Sequence, residues 1–154
     1  MTIVNTPGAI KKFKRTFSGF QLTFGTPLKQ LDRFVSAILA DDGDFEGASA
    51  TVDEIVFEPK NLKSLLSAHS LSAEFGSDWS ISAEGKTQAR ELLKAALSDW
   101  VDFAFVPVPK PFVVYADHDE YTTFYANTKS NLNRVRQALV ANGFKEIPAY
   151  QREL

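Results

Sequence analysis

The sequence predicts an α+β fold: an antiparallel or mixed sheet built largely from hairpins, with about four helices packed on one face. Three observations carry this expectation. Three pairs of β-branched, aromatic or alternating runs flank short polar or glycine-bearing turns. Four segments repeat apolar residues at helical spacing. No repeat, linker or low-complexity tract interrupts the 154 residues, so a single domain over 1–154 is expected, with 1–10 as a flexible leading segment.

Taken in order, 11–25 reads as a hairpin turning at Ser18-Gly19. Pairing Phe17 with Phe20, Arg15 with Leu22 and Phe13 with Phe24 makes one face almost wholly apolar. Lys12, Lys14, Thr16, Gln21 and Thr23 then share the other. Thr26-Pro27 offers an N-cap and a first-turn proline for a helix over 27–40, whose Leu28, Leu31, Val35, Ile38 and Leu39 recur at helical spacing. The loop 41–50 ends that helix. A strand is expected over 52–57, rich in β-branched and aromatic residues. Pro59 opens a short helix carrying Leu62, Leu65 and Leu66.

Leu71, Ala73 and Phe75, then Trp79 and Ile81, alternate with polar residues around Gly76-Ser77-Asp78, which predicts a second hairpin. The clearest helix follows, marked by Ala89, Leu92, Leu93, Ala96, Leu97, Trp100 and Val101 on one face. After the run 103–106, Pro107, Pro109 and Pro111 stand at alternate positions. They cannot donate to a ladder and predict an edge or connecting segment. Runs 112–116 and 121–126 form a third hairpin, its first strand apolar on both faces and hence central and covered. A last helix over 129–142 turns Leu132, Val135 and Leu139 inward. Gly143 is placed for a left-handed cap and Phe144 to fold back on Leu139. A short final strand is expected near 145–150.

Composition narrows the function classes. The chain has no cysteine, which removes disulfides, thiolate metal ligands, Fe–S clusters and a cysteine nucleophile. Residues 1–10 lack the apolar core of a signal peptide, and no stretch approaches the ~18 apolar residues of a membrane span, so a cytoplasmic protein with no membrane partner is expected. Seventeen basic against nineteen acidic residues give a net charge of −2, which disfavours nucleic acid as a partner. Thirteen Phe beside one Met imply a core of rigid aromatic rings.

The densest ionisable run is Asp117-His118-Asp119-Glu120, flanked by Tyr115 and Tyr121. Carboxylates beside an imidazole suit a divalent metal or a general acid and base, with Arg134 from the following helix in reach. Neighbouring residues on a strand point to opposite faces, however, so a solvated turn in which Asp bonds its own backbone is the preferred reading. The acidic loop Asp41, Asp42, Asp44 and Glu46 resembles the opening of a calcium loop counted from Asp42. Glu46 at position five, Ser49 at eight and Asp53 at twelve break that pattern. Gly85-Lys86-Thr87 echoes a phosphate loop, but Ser80 stands where its leading glycine belongs. His69 is expected to cap or pack the end of the short helix before it.

No cofactor is implied. The expectation is a non-catalytic module that occupies a protein partner. By size and composition alone it is comparable to small bacterial or phage inhibitor and immunity proteins. The acidic turns 41–46 and 117–120, with Tyr115, Tyr121 and Arg134, are its candidate contacts with a basic partner. The alternative is a small metal-dependent enzyme using 117–120. A third reading, drawn from the aromatic excess, is a homo-oligomer.

Overall fold

The computed structural model describes residues 1–16, 19–40 and 45–154. Among these residues seven strands form one antiparallel sheet: β1 (Thr2–Asn5), β2 (Phe20–Gly25), β3 (Gly47–Glu54), β4 (Trp79–Glu84), β5 (Asp102–Val108), β6 (Val113–Ala116) and β7 (Tyr121–Ala126). Their order across the sheet is β1-β4-β3-β5-β6-β7-β2. The helices are α1 (Ala9–Thr16), α2 (Leu31–Ile38, preceded by a 3-10 turn over Leu28–Gln30), α3 (Lys60–Ala68), α4 (Gly85–Ser98) and α5 (Lys129–Ala141). The α+β class and the antiparallel sheet are as the sequence predicts. No helix among the described residues is long and apolar enough to cross a membrane.

Alternation along the strands divides the sheet into two faces. Leu22, Phe24, Ala50, Val52, Ile81, Phe103, Phe105, Val114 and Phe124 face α2, α3, α4 and α5, and this is the main core. Phe124 meets Phe24 and Phe112 edge to face, with centroids 6.2 and 6.0 Å apart. The opposite face carries Ala104, Val113, Tyr115 and Tyr125, which pack under Ile10 and Phe13 of α1. Four helices thus lie on one face, and the fifth lies on the other.

That fifth helix replaces the first expected hairpin. Ile10 and Phe13 are three apart, which suits one helical face as well as the strand pattern read from Phe13 onward. The deciding interaction lies 70 residues away. The Asp78 carboxylate accepts from the N–H groups of Gly8 (3.0 Å) and Ile10 (3.1 Å), satisfying donors that a helix start leaves open. Lys14 and Arg15 in the last turn complement the helix dipole. With 9–16 helical, β2 pairs instead with β7, Leu22 opposite Phe124. The expected turn residue Ser18 and its neighbour Phe17 lie outside the described residues.

Other boundaries also moved. Residues 2–5, expected to be loose, form an edge strand on β4, with Ile3 opposite Ile81. Strand β3 starts at Gly47 rather than 52, because its small residues are recruited by both neighbours. Gly47 is required there: a Cβ would stand 2.2 Å from the Ala83 carbonyl oxygen. The strand ends at Glu54 after an irregularity beside Val52, leaving Val56 and Phe57 exposed rather than in the sheet.

Residues 71–75 are not a strand, so the second hairpin is absent. The Leu71 N–H instead closes α3 by donating to the Leu66 carbonyl (2.9 Å), and His69 is the C-cap of that helix. Pro107 sits in an interior strand opposite Ala48, but beyond the β5–β6 ladder, which pairs only Phe103 to Phe105. Its missing N–H therefore breaks no bond to β6.

The β6–β7 hairpin and α5 match expectation. Thr128 caps α5 by accepting from the Asn131 N–H, and Gly143 adopts φ +86°. The Phe144 N–H donates to the Leu139 carbonyl at 3.1 Å. The final strand reduces to a single bridge between Phe24 and Glu146, after which the chain turns onto the α1 face.

Candidate functional site

The turn joining β6 to β7 is built by Asp117. Its Oδ1 accepts from the N–H groups of Asp119 (2.9 Å) and Tyr121 (3.2 Å), while its own N–H donates to the Tyr121 carbonyl (3.1 Å). Glu120 completes the reversal at φ +70°. Turn chemistry alone accounts for these residue types, but two side chains go further, in opposite directions.

His118 turns to the first residue of β5. Both its backbone N–H and its ring Nδ1 lie 2.8 Å from Asp102 Oδ1, and Asp102 is buried. The carboxylate fixes the Nδ1–H tautomer and leaves Nε2 facing out, with Asp119 Oδ1 3.8 Å away. The Asp102 hydrogen bond raises the His118 pKa above the ordinary 6.5, and burial opposes it. Asp102, Asp119 and Asp117 add further negative charge nearby.

His118, Asp119 and Glu120 border a shallow depression of about 310 Å³ with Phe57 and Trp100. Trp100 is held at φ +55° in the turn that leads into β5. Phe57 is 54% exposed and its neighbour Val56 43%. The outcome is two aromatic rings rimmed by carboxylates at one end of the sheet. An Asp-fixed imidazole can take up a proton, but no lining residue of this depression carries a hydroxyl nucleophile.

Asp117 turns to the opposite face. Its Oδ2 lies 2.6 Å from Arg152 Nη1, both side chains being about nine-tenths buried. Arg152 Nε donates to Thr123 Oγ1 (2.9 Å), and its guanidinium stacks over Tyr115 and Tyr150 at 4.8 and 5.5 Å. Tyr115 donates to Asp53, which also pairs with Lys14 Nζ at 2.8 Å. Burial, followed by the Asp53 bond, pushes the Tyr115 pKa up, so its hydroxyl keeps the donor role. Tyr121 stacks on Tyr150 with centroids 4.4 Å apart.

The predicted cluster therefore divides. Among the described residues no three His, Asp or Glu side chains converge as a metal site. Arg134 lines a groove with Ala37, Ile38, Pro111 and Phe112, at the opposite end of the β6–β7 hairpin from the turn. Asp41, Asp42 and Asp44 lie outside the described residues. Glu46 is exposed, its N–H donating to the Val108 carbonyl at 2.7 Å. Asp53, the twelfth position of the calcium-like count, is engaged by Lys14 and Tyr115 on the sheet.

Sequence reasoning missed Asp102, Arg152, Phe57 and Trp100. Asp102 and Arg152 gave no local signal, since their partners are 16 and 35 residues away. Phe57 read as the end of an expected strand and Trp100 as part of the apolar face of a helix, whereas β3 ends at Glu54 and α4 at Ser98. The chain matches no protein-family model, no curated protein and no solved structure.

Proposed function

We propose that this chain is a non-catalytic protein-binding module, inhibitor-like in action, that docks a basic partner at the end of the sheet formed by Phe57, Trp100 and the 117–120 turn. The observation that carries this is the exposure of Val56 and Phe57 beside Trp100, with exposed Glu54, Asp119 and Glu120 as acidic neighbours. Aromatic anchors supply most of the energy in interface centres, and rim charges select the partner and speed encounter. The cysteine-free composition fits a cytoplasmic setting.

The experiment is capture from native extract with wild type, Phe57→Asp, Asp119→Lys and the distant Lys110→Ala. A discrete basic protein retained by wild type and Lys110→Ala but lost with the other two supports the reading. Identical captures from all four proteins, or none from any, overturn it.

The second reading is a small metal-dependent enzyme at the same turn, favoured by the His118–Asp102 pair. Native mass spectrometry with added divalent cations separates the two. A stoichiometric ion lost in His118→Ala supports the enzyme, and a metal-free protein removes it.

A further inference from the structure

The segment after α5 ends in an interaction more elaborate than edge protection needs. The N–H of Ile147 donates to the Thr23 carbonyl (2.8 Å), which already covers the edge of β2. The chain then leaves the edge, Tyr150 stacks on Tyr121, and the Arg152 side chain enters the α1 face.

There its three nitrogens meet three different acceptors: Nη1 the Asp117 carboxylate (2.6 Å), Nε the Thr123 hydroxyl (2.9 Å) and Nη2 the Tyr121 carbonyl (3.4 Å). The Tyr115 ring supports the guanidinium plane at 4.8 Å. A planar fork with fixed donors fits this arrangement, and the single point charge of an ammonium does not. The backbone is read as well. The Gln21 side-chain amide accepts from the Arg152 N–H (2.9 Å) and donates to its carbonyl (3.1 Å), a pairing that any extended peptide can offer.

We propose that Asp117, Thr123, Tyr115 and the Tyr121 carbonyl form a guanidinium-binding site for an arginine in an extended peptide of a partner protein, and that Arg152 occupies it as an exchangeable internal ligand. Exchange is built into the segment. Pro148, Ala149, Gln151, Glu153 and Leu154 are exposed, so the grip is concentrated on Tyr150 and Arg152. Beyond Arg152, the segment 148–152 adds the Tyr150 stack on Tyr121 and the Tyr150 N–H bond to the Ile147 carbonyl, so its release turns on the Arg152 contacts. Released, it uncovers the Asp117 carboxylate and the Gln21 amide together. The inference does not depend on the docking surface proposed above, which lies at the His118 side of the turn.

The test uses the full chain and backbone amide NMR. Arg152→Ala is titrated with ethylguanidinium and, separately, with ethylammonium at equal ionic strength. Saturable shifts of the Thr123 and Tyr121 amides are expected with ethylguanidinium at roughly one-tenth the concentration ethylammonium needs, the factor that about 1.4 kcal/mol of fork preference represents. The acetylated, amidated tripeptide Tyr-Gln-Arg should in addition shift Gln21. In wild type the same peptide, at up to roughly tens of millimolar, above the effective concentration of a short tether, should move the Arg152 amide to a released position. Equal responses to the two cations overturn the guanidinium site. A wild-type Arg152 resonance unmoved by the peptide overturns the exchange. Should Arg152→Ala fail to fold, Arg152→Gln, which keeps a polar stem and removes the cation, takes its place in the same titrations.

Discussion

Asp102 receives His118 twice: the backbone N–H and the ring Nδ1 both reach the same carboxylate oxygen at 2.8 Å. One buried acid at the start of β5 therefore ties the Asp117-built turn to the sheet at His118 and sets the tautomer of its ring.

The first prediction is a titration. The Asp102 bond raises the folded pKa of His118 above its unfolded value near 6.5. The charged pair thus contributes stability fully below pH 6.5 and loses it as pH rises through the folded pKa. An NMR titration of the His118 Hε1 proton should give a midpoint above 6.5 in wild type, falling in Asp102→Asn. Equal midpoints would show that the contact does not hold in solution.

Arg152 and Asp117 are expected to couple. Each single change, Arg152→Ala or Asp117→Ala, should cost about 1.5–3 kcal/mol in urea unfolding, the range for hydrogen bonds to charged groups. The double variant should cost clearly less than the sum, because the second change removes a partner already lost. Strict additivity would mean that the 2.6 Å contact carries no net energy.

Asp78 should control α1. Its bonds to the Gly8 and Ile10 amides lower its pKa below the ordinary 3.8. Such a carboxylate stabilises the fold above its unfolded pKa, and that contribution is lost as pH falls through the lower, folded value. Amide hydrogen exchange should show α1 losing protection in Asp78→Ala at neutral pH, and in wild type only in strong acid. Unchanged protection in the variant would leave the helix start without its proposed cap.

Two phenylalanines should behave oppositely. Phe124 is fully buried between Phe24 and Phe112, so Phe124→Ala should cost about 3–5 kcal/mol. Phe57→Ala should change stability by less than about 0.5 kcal/mol, as exposed positions do, while abolishing partner capture. A large stability loss at Phe57 would reassign it to the core.

What could be read from the sequence was local. Helices α4 and α5, the α3 leucines, the β6–β7 hairpin and the Gly143 cap each declare themselves within about fifteen residues, through periodicity or turn chemistry. The self-bonded turn at Asp117 was legible for the same reason. The tertiary structure decided wherever a short segment had two acceptable conformations or needed a distant partner. Residues 9–16 fit a strand or a helix until Asp78 supplied the cap. The small residues of β3 become a strand only between β4 and β5. The 117–120 cluster was visible as a run of charges, yet its division between Asp102 on one side and Arg152 on the other required the folded sheet. Alternation turns adjacent side chains to opposite faces, and only the assembled chain determines what waits on each face.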